Sequence, residues 1–312
     1  MRKSNGGVRT HPSSPTPKVV DAHRPFAYNV TSTSAQIGTH NLTLRVVHLD
    51  DVLLHEHTER QRVKQLVERI QADHVLKNPP IVVADADKYI LLDGATRVTA
   101  LKQLGYRDVV VQIIDYAMPG LQLETWNHLL IDLPVSEFLN TLRQIKGLQI
   151  LATTQDEAEE ALNRRTSIAT LMLPEGQVFS LRVMDAQSLA TQIDVLNQVV
   201  AAYEGRGELQ RITHADMARL SKSKIAWNAL VIFSRYQPKD IRALALNGHK
   251  LPTGITRHII PGRAMRLNIP SELLQKANSL EQKNMQLGEW LQTKLRERRV
   301  RYYHEPIFLF DE

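Results

Sequence analysis

Residues 89–116 read YILLDGATRVTALKQLGYRDVVVQIIDY, and the fold is decided there. An apolar strand over 89–92 halts at Asp93-Gly94, and Ala95-Thr96-Arg97 reads as a short polar turn. A helix follows over 98–104, Gly105 closes it as a left-handed cap, and a second apolar strand covers 109–114. Strand, acid-Gly turn and helix start bring free backbone N–H groups and an arginine to one point. That suits an anion, most often a phosphate. An ordinary strand-turn-helix, with Asp93 capping the helix and Arg97 solvated, would carry the same letters.

Upstream, 42–47 (LTLRVV) alternates as a strand, 58–72 has helical spacing at Val63, Leu66, Val67 and Ile70, and 81–83 follows Asn78-Pro79-Pro80 as another strand. Residues 1–38 are rich in Ser, Thr, Pro and Gly without apolar periodicity and are expected to be disordered. Downstream, helices are expected over 135–146, 156–164, 186–204, 214–222, 238–247 and much of 270–299. Strands are expected over 148–153 and 229–233, with a hairpin of 168–173 and 177–183 around Pro174-Glu175-Gly176. Residues 251–258 read as a loop and 308–310 as a final strand. The fold class is therefore α/β (α+β). A domain over 39–132 is followed by a mixed α/β region over 133–312, which would complete the site and could mediate a homodimer.

Composition narrows the function classes. With no cysteine, thiol catalysis, thiolate zinc sites and disulfides are excluded. No apolar run approaches the roughly 20 residues that span a bilayer. The N-terminal MRKSNGGVRTHPSSPTPK lacks an apolar h-region, so a cytoplasmic protein is expected. The net charge of +6 sits largely at the two ends rather than along one helix, favouring anionic ligands over nucleic acid.

Four polar clusters fall at chain breaks: His55-Glu56-His57, Asp93-Gly94-Ala95-Thr96-Arg97, Trp126-Asn127-His128 and Thr256-Arg257-His258. Each taken singly has a surface or capping reading. His55 and His57 could suggest a metal but lack a clear third ligand. Glu56 could be a general base, or simply an ion-pair partner of Arg60 or Arg62.

Taken together, the clusters resemble a known family. Residues 45 to about 130, with VKQLVERI, NPPIVV, the acid-Gly-x-x-Arg turn and ALKQLG, look like the N-terminal domain of the ParB/sulfiredoxin superfamily. The absence of cysteine excludes the sulfiredoxin reaction. Within the superfamily the chain most resembles the free L-serine kinase (SerK/SbnI-like) branch. That branch has a His-Glu loop before the first helix, a DGHHR-type turn, a tryptophan after the second strand and a late TRH-type loop. The turn departs from the family pattern, with Ala95 and Thr96 in place of two histidines. Thr96 can replace part of their hydrogen bonding; Ala95 cannot.

The resemblance implies phosphoryl transfer from ATP or ADP, with Mg2+, to the hydroxyl of free L-serine, giving O-phospho-L-serine. It assigns Glu56 as the base and Asp93 to a metal-bound water or the nucleotide. Gly94, Ala95, Thr96 and Arg97 would hold phosphates. Trp126, Asn127 and His128 would shape the amino-acid pocket, with Thr256, Arg257 and His258 closing it and Arg257 gripping a carboxylate or phosphate. Two rivals stand: a ParB-like nucleotide-dependent DNA-binding protein, whose helix-turn-helix could only draw on 208–222, and a non-catalytic ligand sensor.

Overall fold

The computed structural model describes residues 33–37, 40–184, 188–220, 226–275 and 277–302. The first sheet is built from β1 (Thr33–Ile37), β2 (His40–His48), β3 (Val52–Leu53), β5 (Ile81–Asp85), β6 (Lys88–Asp93) and β7 (Asp108–Ile114), in the order β1-β2-β7-β5-β6-β3. β5 runs parallel to β7, and β3 parallel to β6; the other pairs are antiparallel. Helix α1 (Arg60–Asp73), the short strand β4 (Val75–Leu76) and helix α2 (Ala95–Gln103) are the connections.

Both faces of this sheet are covered, and β6 shows how. Leu91 packs with Val98 and Leu101 of α2 and Val110 of β7 in one core. Its neighbours Ile90 and Leu92 point the other way, into a second core with Leu171, Val231 and Tyr236. Period-two alternation with apolar residues on both sides is what a strand sandwiched between layers requires.

The second core belongs to a wholly antiparallel sheet. In chain order, β8 (Gln122–Thr125) and β9 (Asn127–Ile131) are followed by α3 (Val135–Arg143), β10 (Leu148–Thr153), α4 (Gln155–Asn163), β11 (Ala169–Met172) and β12 (Val178–Val183). Then come α5 (Leu189–Ala201), β13 (Glu208–Ile212), α6 (His214–Leu220), β14 (Ala229–Phe233) and α7 (Pro238–Leu246). The sheet order is β10-β12-β11-β14-β9-β13. β15 (Thr256–Ile259) pairs with β8 outside that sheet, and β16 (Ile269–Pro270) pairs with β4. Helices α8 (Ser271–Gln275) and α9 (Leu280–Arg296) then return to the first sheet, where Leu287 and Leu291 enter its core.

Several expectations are corrected. Residues 33–37 are a strand, not structureless, because β2 offers them an unpaired edge. Helix α2 starts at Ala95, since Gly94 at φ 104° makes the whole turn by itself. Residues 127–131 join the second sheet, so the change of layer precedes the boundary expected at 132. Residues 256–258, read as loop, belong to the strand Thr256–Ile259, held by pairing with β8. In 208–222, residues Glu208–Ile212 form a strand, so among the described residues of this stretch α6 is the single helix. The expected strand at 308–310 and residues 1–32 lie outside the described residues. Among the described residues no helix is long and apolar enough to cross a membrane.

Candidate active site

A cleft of about 440 Å3 is walled by the loop before α1, the β6–α2 turn, Trp126 between β8 and β9, β15 and Arg211 of β13. All the residues predicted for the site line it except Asn127 and His128. At its β6–α2 wall, Gly94 takes a φ of 104° that other residues rarely adopt, and a Cβ there would press on the Pro80 Cα at 3.1 Å. Gly94 provides no side-chain cap, and the first backbone N–H of α2 to reach a helical carbonyl is that of Val98, on Gly94 O at 3.0 Å. The N–H groups of Ala95, Thr96 and Arg97 thus form an uncapped helix start on the cleft wall, a position that favours an anion.

Arg97 is committed elsewhere. It donates through Nη1 to the carbonyls of Asn78 (3.0 Å) and Pro79 (2.8 Å) and through Nη2 to Asp93 Oδ2 (2.6 Å). The geometry makes it a brace of the turn, not the free fork expected from the sequence. Arg263, which sequence reasoning missed, also donates to Asp93 Oδ2 at 3.2 Å and lines the same wall. It is aimed by Gln112, a buried side chain that clamps Gly262 O and Ala264 N, each at 2.8 Å. Burial pushes the Asp93 carboxyl up, but Arg97 and Arg263 outweigh it and hold it below its ordinary value.

Glu56 sits opposite, in a loop stitched to residue 251 by backbone bonds (Leu251 N to His55 O, 2.8 Å; His57 N to Leu251 O, 2.9 Å). Its Oε1 accepts from Thr256 N (2.5 Å) and from the Thr256 hydroxyl (2.6 Å), and its Oε2 accepts from Gly254 N at 3.1 Å. The same Thr256 oxygen lies 2.9 Å from His55 Nε2, while His55 Nδ1 donates to Leu91 O at 2.9 Å. Burial pushes the His55 imidazole below its usual pKa, so it is neutral at pH 7 and Nε2 is an acceptor. One hydroxyl proton therefore serves two acceptors, Glu56 and His55. This array is one proton short of being fully satisfied.

His258 stands beside His55, ring centroids 5.8 Å apart, and its Nε2 is 2.7 Å from the Tyr116 hydroxyl. Burial, then the proximity of His55, takes its pKa down to about 3. Arg257 lies 4.6 Å over the Trp126 ring and donates to Glu124 Oε2 at 2.9 Å. It is thus already stacked and paired.

Asn127 and His128 correct the expected pocket. They are consecutive residues of β9, point to opposite faces of the second sheet, and are both buried. The Asn127 side-chain oxygen Oδ1 accepts from Phe233 N at 3.3 Å, and His128 Nδ1 pairs with the Tyr203 hydroxyl at 2.7 Å. Burial, aided by the charge of Arg211, takes His128 down to about 4. Arg211 of β13 and Arg62 of α1 were also missed as lining residues. Arg62 falls in the helix predicted from the sequence, where an exposed arginine carries no signal of its own. Arg211 is found only from the pairing of β13 with β9. Among the described residues no group of three or more His, Asp or Glu could hold a metal.

No protein-family model matches the chain. It is 29% identical over 275 residues to the ATP-dependent L-serine kinase SbnI of Staphylococcus aureus, spanning 86% of this chain and 97% of that protein. To the ADP-dependent L-serine kinase SerK of Thermococcus kodakarensis it is 23% identical over 251 residues, spanning 76% and 96%. Among solved structures, SbnI with a C-terminal truncation superposes with a TM-score of 0.65 at 24% identity, covering 81% of this chain and 97% of that one. A free serine kinase in complex with AMP gives 0.63 at 20% identity, covering 74% and 93%. The mixed α/β fold is shared with both structures. The resemblance drawn from four short clusters is borne out along nearly the whole chain, including the middle that the motifs left bare.

Proposed function

We propose that this chain is a free L-serine kinase that moves a phosphoryl group from an adenine nucleotide to the serine hydroxyl, giving O-phospho-L-serine. The observation that carries this reading is one cleft with a carboxylate, Glu56, on one wall and the uncapped start of α2 on another. Phosphoryl transfer asks the protein chiefly for positioning and electrostatic stabilisation, plus a base for the acceptor hydroxyl. Those are the groups the cleft brings together. Relatives named ATP-dependent and ADP-dependent set the donor class as ATP or ADP.

The N–H groups of Ala95, Thr96 and Arg97, the Thr96 hydroxyl and the Arg263 guanidinium hold the phosphates. Arg97 acts through the turn it braces. Magnesium, brought in with the nucleotide, would neutralise phosphate charge. It needs only one or two protein carboxylates beside phosphate oxygens. Asp93 suits this, because both arginines use Oδ2 and no bond to Oδ1 is formed by the described residues. Glu56 takes the hydroxyl proton as the serine oxygen bonds to the terminal phosphorus and the bond to the leaving ADP or AMP breaks. Protonated Glu56 can then satisfy Thr256, whose own proton turns to His55 Nε2, so the array missing one proton is the natural receiver of the one released. Trp126 and the β15 residues Thr256, Arg257 and His258 form the amino-acid wall.

Phosphorus NMR of the protein with magnesium, ATP or ADP and a panel of free amino acids tests this. A phosphomonoester signal that appears only with L-serine is expected and identifies the donor. No new signal from folded protein with any pair would overturn the reading in favour of a ligand sensor.

A further inference from the structure

We infer that Arg211 is the anchor for the α-carboxylate of the free amino-acid substrate, and so the residue that makes the cleft select a free amino acid. This rests on the kinase reading above and deepens it. Arg211 reaches the cleft from β13, across from the Glu56 loop. Its Nε is buried and has no hydrogen-bond partner, and no carboxylate of the described residues lies within ion-pair distance of it. Of the cleft's other arginines, Arg62 pairs with Glu59, Arg97 with Asp93 and Arg257 with Glu124, while Arg263, 3.2 Å from Asp93 Oδ2, is the one assigned to the phosphates. Burial, then the like charge of Arg62, weighs against the protonated form of Arg211, while Glu56, Glu59 and Glu204 favour it from beyond ion-pair distance. A guanidinium with a dry, unpaired donor beside a second cation calls for an anion.

A second observation concerns Gly254. It has φ 70°, and any Cβ there would overlap the Arg211 guanidinium. The chain thus leaves a cradle for this side chain in its present position. The N–H of the same glycine donates to Glu56 Oε2 at 3.1 Å. The anchor and the base are therefore separated by one residue's backbone.

That spacing distinguishes carboxylate from phosphate. In serine, two carbons separate the hydroxyl-bearing carbon's oxygen from the carboxyl carbon, so the group gripping the carboxylate must sit next to the base. The phosphates have their own donors at α2 and Arg263. Arg257, the carboxylate partner expected from the sequence, is stacked on Trp126 and paired with Glu124, which leaves it the lesser claim.

Calorimetric titration of the full chain with L-serine and with L-serinamide, which lacks the anionic carboxylate, tests the assignment without needing turnover. The wild type is expected to bind L-serine at least about tenfold more tightly than L-serinamide, the scale of a charge-assisted contact. Arg211→Gln is expected to abolish that preference and leave the affinity for ATP or ADP within about twofold, and Arg211→Lys to restore part of it. Equal binding of serine and serinamide by the wild type would overturn the inference even if the variants failed to fold. So would an undiminished preference in folded Arg211→Gln, or a loss confined to nucleotide binding. Failure of the kinase reading looks different: carboxylate-dependent serine binding through Arg211 with no phosphoserine formed.

Discussion

Two polar networks in this molecule, one buried and one half-buried, are built from similar side chains and differ in completeness. Where α9 meets the first sheet, Lys283 donates to Asp108 Oδ2 at 2.6 Å and to Leu274 O at 2.7 Å, and His48 holds the other Asp108 oxygen at 2.6 Å. Beside it, Asn284 accepts from Val46 N at 2.8 Å and donates to Val46 O at 3.0 Å, as a strand neighbour would. The cleft network is left wanting: one Thr256 proton serves Glu56 and His55, and Arg211 keeps a dry donor unpaired. A satisfied network ties elements together. One left short by a proton and an anion is fitted to receive both from a substrate.

The contrast can be broken most forcibly at Glu56. Glu56→Gln keeps the shape and an acceptor oxygen but removes the proposed base, so kcat should fall by about 10²–10⁴-fold while nucleotide affinity and unfolding stay near wild type. Steady-state kinetics beside equilibrium nucleotide binding measure this, and a wild-type rate would remove Glu56 from the chemistry.

The satisfied network should fail in the opposite sense. Lys283→Met leaves the Asp108 carboxylate, only 3% exposed, with His48 as its remaining side-chain partner, and should cost up to about 3–5 kcal/mol of stability. Activity per folded molecule should be unchanged. Denaturant titration and kcat on the same preparation separate the two effects; a stable but slow variant would contradict the division.

The smallest effect sharpens the comparison through pH. His258 has a folded pKa of about 3 against an ordinary 6.5, so between those values the unfolded chain binds the extra proton and the native state does not. Its contribution to stability is therefore complete above pH 6.5 and is lost progressively as pH falls toward about 3. One such proton gives a slope of at most about 1.4 kcal/mol per pH unit. His258→Gln should flatten the stability curve by up to that slope below pH 6.5 and change little above it. Unfolding free energies across the pH range would show an unaltered slope if His258 were not held neutral.

Local letters carried much of this fold. Apolar runs bounded by Gly and Pro placed β10 over Leu148–Thr153 and β14 over Ala229–Phe233, and Gly105 and Gly248 stopped the helices they follow. These outcomes depend on neighbours a few residues away, which is the range over which periodicity and turn chemistry act. The clusters around Glu56, Asp93 and Thr256 were visible for the same reason, as polar groups at chain breaks.

What stayed hidden depends on partners far along the chain. Arg97 looks like a free cation until the carbonyls of Asn78 and Pro79 are brought to it. Thr256–Ile259 has no strand signal of its own and is ordered by β8, more than a hundred residues earlier. Asn127 and His128 sit beside Trp126 in sequence, yet β9 turns them into the second sheet. By itself, then, the sequence determined the strand-turn-helix with its acid-Gly turn, the mixed α/β class and the polar stretches that could meet. Tertiary structure alone decided which of their side chains face the cleft, which are spent on bracing it, and that Arg211 enters it with an open donor. Hydrogen-bond saturation and burial are properties of the assembled neighbourhood, and no local pattern of residues contains them.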